Sequence, residues 1–306
     1  MIDITLSYET LHYKWPVPVR GTPVNENNFL KVTLLDSDYF ISVLPGFHEA
    51  TLEEITFKLR YFFSTYSLDF GHIDFSKKFF NLVEIDDYLE GIHSETLFNI
   101  EVLLLGMIRK THSGLFNNNP VMENELYRAA RGTQAYTQSK CLKIKIAPDS
   151  LEKTIKLINE LHRLNKELII RLDGNRQFEI NEMIVFEERL KKNILLESFK
   201  KIDYIEEPFK NFADTFLFKK RSVLKVAMDE SFSTYRQLSA EEFPDEIPVV
   251  IKPSLFGISS IHNWMQTHSK KRVIVSGSFE HPTVKIGLTF LASTRPYEYH
   301  GLENFL

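Results

Sequence analysis

Apolar and polar residues alternate along "IDITLSYETLHY" (residues 2–13) and again along "FLKVTLLDSDYFISVL" (29–44), where the turn residues Asp36 to Asp38 interrupt the run. A period of two puts successive side chains on opposite faces, so these segments predict three strands, the last two joined by a tight turn. Between the first strand and that pair lies "KWPVPVRGTPVNENN" (14–28), rich in Pro, Gly and Asn, which reads as a mobile connection or a lid. "TLEEITFKLRYFFSTY" (51–66) switches to a helical period, with Thr51 as N-cap and Glu54 three residues on. Residues 1–95 therefore read as an α+β unit.

From about residue 97 the texture changes. An apolar helical segment, "LFNIEVLLLGMI", is followed by the strand "CLKIKI" and a helix over "SLEKTIKLINELHRLN", whose Leu151, Ile155, Ile158 and Leu161 form one stripe. Four short apolar strands follow, each ending in polar residues: "ELIIRLDGN", "IDYIEEPF", "LKVAMDES" and "PVVIKPS". "TYRQLSAEEF" and "SIHNWMQTHSKK" read as helices, and "RVIVSGSF" as one more strand. Strand–helix alternation of this length predicts a parallel sheet closed as a (β/α) barrel over residues 96–294.

The charges fall at regular places in that pattern. Alternation puts Leu142, Ile144 and Ile146 on one face of their strand, and Lys143 and Lys145 on the other. Asp173 ends the next strand, Glu206 follows 33 residues later, Asp229 another 23 and Lys252 another 23, about one strand–helix unit per step. Taken singly, each has an ordinary reading: a solvated strand face, a helix cap, a surface lysine. Together they predict three carboxylates at consecutive strand ends, where barrel enzymes keep their chemistry. Converging carboxylates repel, and with oxygen ligands and no nearby His or Cys the natural neutraliser is Mg²⁺, with Mn²⁺ able to substitute. Lys145 and Lys252 flank them, and a lysine near a second ammonium, Lys143, and a metal ion is expected to have a depressed pKa and to act as a base. The metal would stabilise the enediolate formed when a proton leaves the carbon next to a carboxylate. Arg171, Asp173 and Asn175 share a face of their strand, which makes Arg171 and Asn175 candidates for substrate contact.

At these residues the sequence resembles the enolase superfamily, in its muconate-lactonizing subgroup with a lysine on each side of the site. The resemblance covers nearly the whole chain, through K-x-K at 143–145, "RLDGN", "IEEP", "AMDES" and "VIKP". Within the subgroup, "VLPGFHEATLEE", "RLDGNR", "VVIKPSLFG", "SGSFEHPTVKIGLTFLA" and "YHGLENF" are most similar to the o-succinylbenzoate synthase family. The resemblance implies an α+β capping domain over 1–95 with a substrate lid loop, a barrel of modified TIM type, and a segment 295–306 returning to the cap. It implies metal ligation by Asp173, Glu206 and Asp229, proton abstraction by Lys145, and an opposing Lys252. It also implies that Arg20 contacts substrate from the lid and that Ser276, Gly277 and Ser278, with the helix start near Pro282, receive a substrate carboxylate. The implied reaction is syn-dehydration of a cyclohexadiene carboxylate. Racemisation of N-acylamino acids or epimerisation of dipeptides is the alternative within the subgroup. The late Asp-x-Asp usual in dipeptide epimerases and the His–Asp dyad of sugar-acid dehydratases are both missing.

Composition narrows the remaining classes. At 306 residues, 43% hydrophobic and 25% charged, the chain is an ordinary globular protein, and a net charge of −4 without a basic block gives no reason to expect nucleic acid. The short run "SKKR" (269–272) reads as a solvated loop. A single cysteine, Cys141, excludes an internal disulfide and argues against a zinc–thiolate site. No apolar run approaches the ~18–20 residues of a membrane span and no leader pattern opens the chain, so the expected compartment is the cytoplasm and the expected partner a small carboxylate substrate. Oligomeric state is not legible.

Overall fold

The computed structural model describes residues 4–19, 22–43, 48–65, 92–111, 120–235, 244–278 and 280–303. The first alternating segment forms β1 (Ile4–Val19), which pairs antiparallel with β2 (Thr22–Leu34), and β2 turns back into β3 (Ser37–Ser42). The β2–β3 turn is made by Leu35 and Asp36 at φ 47° and 58°, both left-handed, the geometry whose twist matches a two-residue hairpin. Much of the stretch 14–28, read from sequence as an open connection, is instead part of the ladder. Val17, Pro18 and Val19 pair with Val24, Pro23 and Thr22, after a register shift between His12 and Val17. Prolines lack a ladder donor and are tolerated beside such an irregularity. Arg20 lies outside the described residues.

Helix α1 (Leu52–Thr65) starts at the predicted box: the Glu54 N–H donates to Thr51 Oγ1 at 3.2 Å, and the Thr51 N–H donates to Glu54 Oε2 at 2.7 Å. Helix α2 (Ser94–Thr111) is apolar nearly all round and accordingly buried nearly all round. Its Phe98, Ile100, Val102, Leu103 and Leu105 share one core with Leu30, Val32, Ile41 and Phe62 on one side and Ile251, Ile258 and Leu291 on the other. The expected division at 95/96 thus falls in the first turn of a helix that packs on both halves.

Strands and helices then alternate: β4 (Met122–Glu123), β5 (Glu125–Leu126), β6 (Cys141–Lys145), α3 (Leu151–Leu164), β7 (Ile169–Asp173), α4 (Ile180–Asn193), α5 (Leu196–Lys200), β8 (Ile202–Glu206), α6 (Asp214–Lys219), β9 (Val226–Ala227), α7 (Glu230–Tyr235), β10 (Val249–Ile251), α8 (Ile258–Thr267), β11 (Val273–Val275), α9 (Lys285–Ser293) and β12 (Tyr299–His300). Of the helix expected over 234–243, residues 236–243 lie outside the described residues. Strands β5 to β9 form one parallel sheet in chain order, β10 pairs with β11, and β12 pairs with β4, all in parallel. Single parallel bridges join Met228 to Val249 and Ser276 to Gly301. Only Asn124 separates β4 from β5, so the pairings run in a circuit from β5 through β12 and back. The C-terminal segment expected to return to the cap supplies a strand of this circuit, because the Gly301 N–H donates to the Val275 carbonyl at 2.9 Å.

Alternation decides what each face buries. Leu142, Ile144, Ile170, Leu172 and Ile205 pack against Ile155, Ile158 and Leu161 of α3 and Met183, Phe186 and Leu190 of α4. Tyr204, Ala227, Val250 and Ile274 form a separate small cluster on the opposite strand face. Each large apolar side chain buried this way contributes about 1.5–3 kcal/mol, and the rows between them carry the charges.

Candidate active site

Strand register brings the charged residues together. Lys145 pairs with Asp173 and Asp173 with Glu206, so one row crosses the C-terminal ends of β6, β7 and β8. The Lys143 ammonium lies 3.1 Å from Asp173 Oδ2 and 3.0 Å from Glu206 Oε1, bridging them. Lys252, directly after β10, pairs with Asp229 and lies 3.8 Å from Glu230 Oε1. Asp173, Glu206 and Asp229 are 5%, 2% and 9% exposed, so all three carboxylates are held nearly out of water.

That burial sets the electrostatics. Burial pushes the Glu206 carboxyl above its usual range, and repulsion from Asp173 and Asp229 adds to this against the pull of Lys143. Burial also works to raise Asp173, but Lys143 and Lys145 outweigh it and hold that carboxyl below its ordinary value. For Lys143 and Lys252 burial disfavours the charge, yet the carboxylates around them dominate and hold both firmly as ammonium ions. Lys143, the second ammonium that the sequence places beside Lys145, is thus held as a cation between two carboxylates.

Among the described residues no three His, Cys, Asp or Glu side chains stand grouped as metal ligands, since lysines occupy the gaps. The donor chemistry nonetheless fits a hard divalent cation: three buried carboxylates, oxygen donors alone, and a Glu206 whose mutual repulsion with two acids a divalent charge would relieve.

Solved structures share this architecture. The o-succinylbenzoate synthase of Thermosynechococcus elongatus, solved with magnesium in its active site, superposes with a TM-score of 0.70 at 16% identity, covering 97% of this chain and 91% of that one. The L-Ala-D/L-Glu epimerase of Bacillus subtilis gives 0.70 at 16% identity, covering 98% and 89%. MenC from Desulfotalea psychrophila gives 0.65 at 18%, covering 98% and 93%. This chain shares the fold of these enzymes. No family model matches the chain. Over 123 residues the sequence is 32% identical to the chloroplast protein PHYLLO of Arabidopsis thaliana, a match covering 37% of this chain and 7% of that protein.

Within this fold, several residues stand elsewhere than sequence reasoning put them. Arg171 does share a face with Asp173, but two residues down the strand it sits 1% exposed in another network, not at the carboxylates. Its Nε donates to Asp203 Oδ2 (3.1 Å), its Nη1 to the Tyr299 carbonyl (2.6 Å), and its guanidinium lies 4.7 Å from the Tyr204 ring centroid. Asn175 donates to Asp173 Oδ1 from its amide (2.8 Å) and backbone N–H (3.3 Å), so it aims a carboxylate instead of waiting for substrate. The backbone donors expected to receive a substrate carboxylate are already used. Ser276 N–H donates to the Ile251 carbonyl (2.9 Å), Gly277 N–H to the Gly301 carbonyl (2.8 Å), Ser278 N–H to Glu280 Oε2, and Thr283 N–H to His281 Nδ1 (3.2 Å). Of that trio, the Ser278 hydroxyl is buried and has no hydrogen-bond partner among the described residues. Glu280, which sequence reasoning passed over, has its carboxyl raised by burial; its only sequence signal was an acid two residues beyond the serine pair.

Proposed function

We propose that this chain is an o-succinylbenzoate synthase, its strand circuit a (β/α) barrel of modified TIM type under an α+β cap, dehydrating 2-succinyl-6-hydroxy-2,4-cyclohexadiene-1-carboxylate in menaquinone biosynthesis. The observation that carries the reading is the order of charges around the strand ends: Lys145 on β6, carboxylates on and after β7, β8 and β9, Lys252 after β10. Mg²⁺ bound by Asp173, Glu206 and Asp229 would supply positive charge to the dianion that forms as the proton leaves. Lys145, whose side chain is exposed at that rim, takes the proton next to the ring carboxylate and returns it to the departing hydroxide, since both groups lie on one substrate face. Lys252, held as an ammonium by Asp229, faces the developing charge from the other flank. Lys143 keeps Asp173 and Glu206 apart and aimed, and the unpartnered Ser278 hydroxyl is the donor left for the substrate's distal carboxylate.

The two flanking lysines equally suit a two-base racemase or epimerase, and epimerases are among the structural neighbours. The deciding assay follows dehydration and α-proton exchange in heavy water. Lys145→Ala is expected to lose dehydration by more than the ~10²–10⁴ of an assisting group, and Lys252→Arg to be damaged because a planar guanidinium replaces a compact ammonium. Exchange on one face, through Lys145 alone, is the expected outcome. Racemisation of N-succinylamino acids from both faces, without dehydration, would replace the leading reading by the second.

A further inference from the structure

Next to the carboxylate row stands a second acid with a different task. Glu207 is 5% exposed, and both of its oxygens are taken. Oε2 accepts the backbone N–H of Asp229 (2.9 Å) and of Ser231 (3.3 Å). Oε1 accepts the Ser231 hydroxyl and the Nε of Arg176 (3.1 Å), while Arg176 Nη2 donates to Ser231 Oγ at 3.0 Å. Four donors on one carboxylate leave nothing with which to hold a metal or a substrate. The donors come from the segments after β7 and after β9, and the carboxylate from the end of β8.

The backbone there is bent to make this possible. Among the described residues five non-glycines have φ in the left-handed region, and three of them lie here: Asn175 (44°) and Arg176 (57°) after β7, and Glu207 (38°) directly after β8. Each such residue costs of order 1 kcal/mol. Alternation alone would point Glu207 away from Glu206 toward the helices, and the positive φ is what turns its carboxylate to the neighbouring strand end. Beyond the strands the ladder is prolonged: Gly174 N–H donates to the Glu206 carbonyl (2.9 Å), Arg176 N–H to the Glu207 carbonyl (2.7 Å), and Glu207 N–H to the Ala227 carbonyl (2.9 Å).

We propose that Glu207, clamped by Arg176 and Ser231, is a positioning residue that fixes the spacing of Asp173, Glu206 and Asp229 by tying the three strand ends together. The proposal rests on the reading of those three as metal ligands. Partners behind metal ligands orient them, and their loss typically weakens metal binding 10–100-fold.

The test is Mn²⁺ binding to the full chain, read by calorimetry and by the electron paramagnetic resonance signal of bound Mn²⁺. It compares wild type, Glu207→Gln, Arg176→Lys and Asp229→Asn, each checked for a cooperative unfolding transition. Glu207→Gln is expected to weaken Mn²⁺ binding about 10–100-fold and to broaden the bound-ion spectrum. Arg176→Lys keeps the charge but loses the fork, so a several-fold weakening is expected, and this half-exposed position remains informative if Glu207→Gln does not fold. Affinity and spectrum within twofold of wild type in the folded variants would overturn the clamp while Asp229→Asn still loses the ion. A wild type that binds no Mn²⁺ overturns the metal reading itself, and the clamp's role with it.

Discussion

At Glu101 two tendencies of a carboxylate pull in opposite directions. The side chain reaches from α2 to the first turn of α8, accepting from the backbone N–H of Ile258, from that of Ser259 (3.0 Å) and from the Ser259 hydroxyl. A helix N-terminus favours negative charge, yet Glu101 is fully buried, and burial dominates, pushing its carboxyl up to about 7. Because the folded pKa lies above the unfolded value of 4.5, folding binds the proton more tightly than the unfolded chain does. The stability this contributes is full below about pH 4.5 and is lost as pH rises through about 7. Compared with Glu101→Gln, the wild type is expected to lose roughly 2–3 kcal/mol of unfolding free energy between pH 5 and 8. Denaturant titrations of both proteins across that range check it, and parallel curves would contradict it.

At the scale of elements, the site depends on how closely two strand ends approach. A Cβ on Gly174 would stand 2.6 Å from Pro208 Cα, a backbone atom that no rotamer change can move aside. Gly174→Ala therefore has to push the ends of β7 and β8 apart, the ends that carry Asp173 and Glu206. Overpacking of this kind costs about 1–3 kcal/mol, and here the displacement also enters the site. The expected outcome is a lowered unfolding midpoint together with a loss of activity larger than that destabilisation explains. Denaturation and steady-state kinetics on the same variant test it; unchanged kinetics would show that the close approach serves packing alone.

Over the whole molecule, the three buried acids are held against their mutual repulsion by lysines on the same circuit of strands, and a divalent cation bound as proposed would add to that cohesion. Anything that binds only the folded state raises its stability, by about 2.7 kcal/mol at 100 times Kd. Mg²⁺ is expected to raise the thermal midpoint in a concentration-dependent way and a chelator to reverse the shift. The shift should vanish in Asp173→Asn, where the charge of a proposed ligand is removed. A midpoint indifferent to Mg²⁺ in the wild type would count against a resident ion. No helix among the described residues is long and apolar enough to cross a membrane.

Sequence alone settled whatever depends on neighbours along the chain. A period of two is local, so the shared face of Lys143 and Lys145, the helix-packing face of Leu142 and Ile144, and the stripe of α3 were all legible. The Thr51–Glu54 box was legible for the same reason, since its partners are three residues apart. Regular spacing of the acids then placed them at successive strand ends. Depth and partnership were not legible, because they are set by residues far away in sequence. Arg171 lies on the face that parity assigns, but its partners Asp203 and Tyr299 come from later strands and connections and lock it two residues below the carboxylates. Lys271 and Arg272, read as a solvated run, are drawn inward by the Pro244 carbonyl (2.9 Å) and by Asp203 and Glu298. The Ser276 donor was spent on Ile251 of β10 and the Gly277 donor on Gly301 only once those distant segments closed on either side of β11. Strand periodicity carries a side chain to one face or the other; only the closed packing of the chain decides what it meets there, because each buried polar group must find its partner wherever the fold brings one within reach.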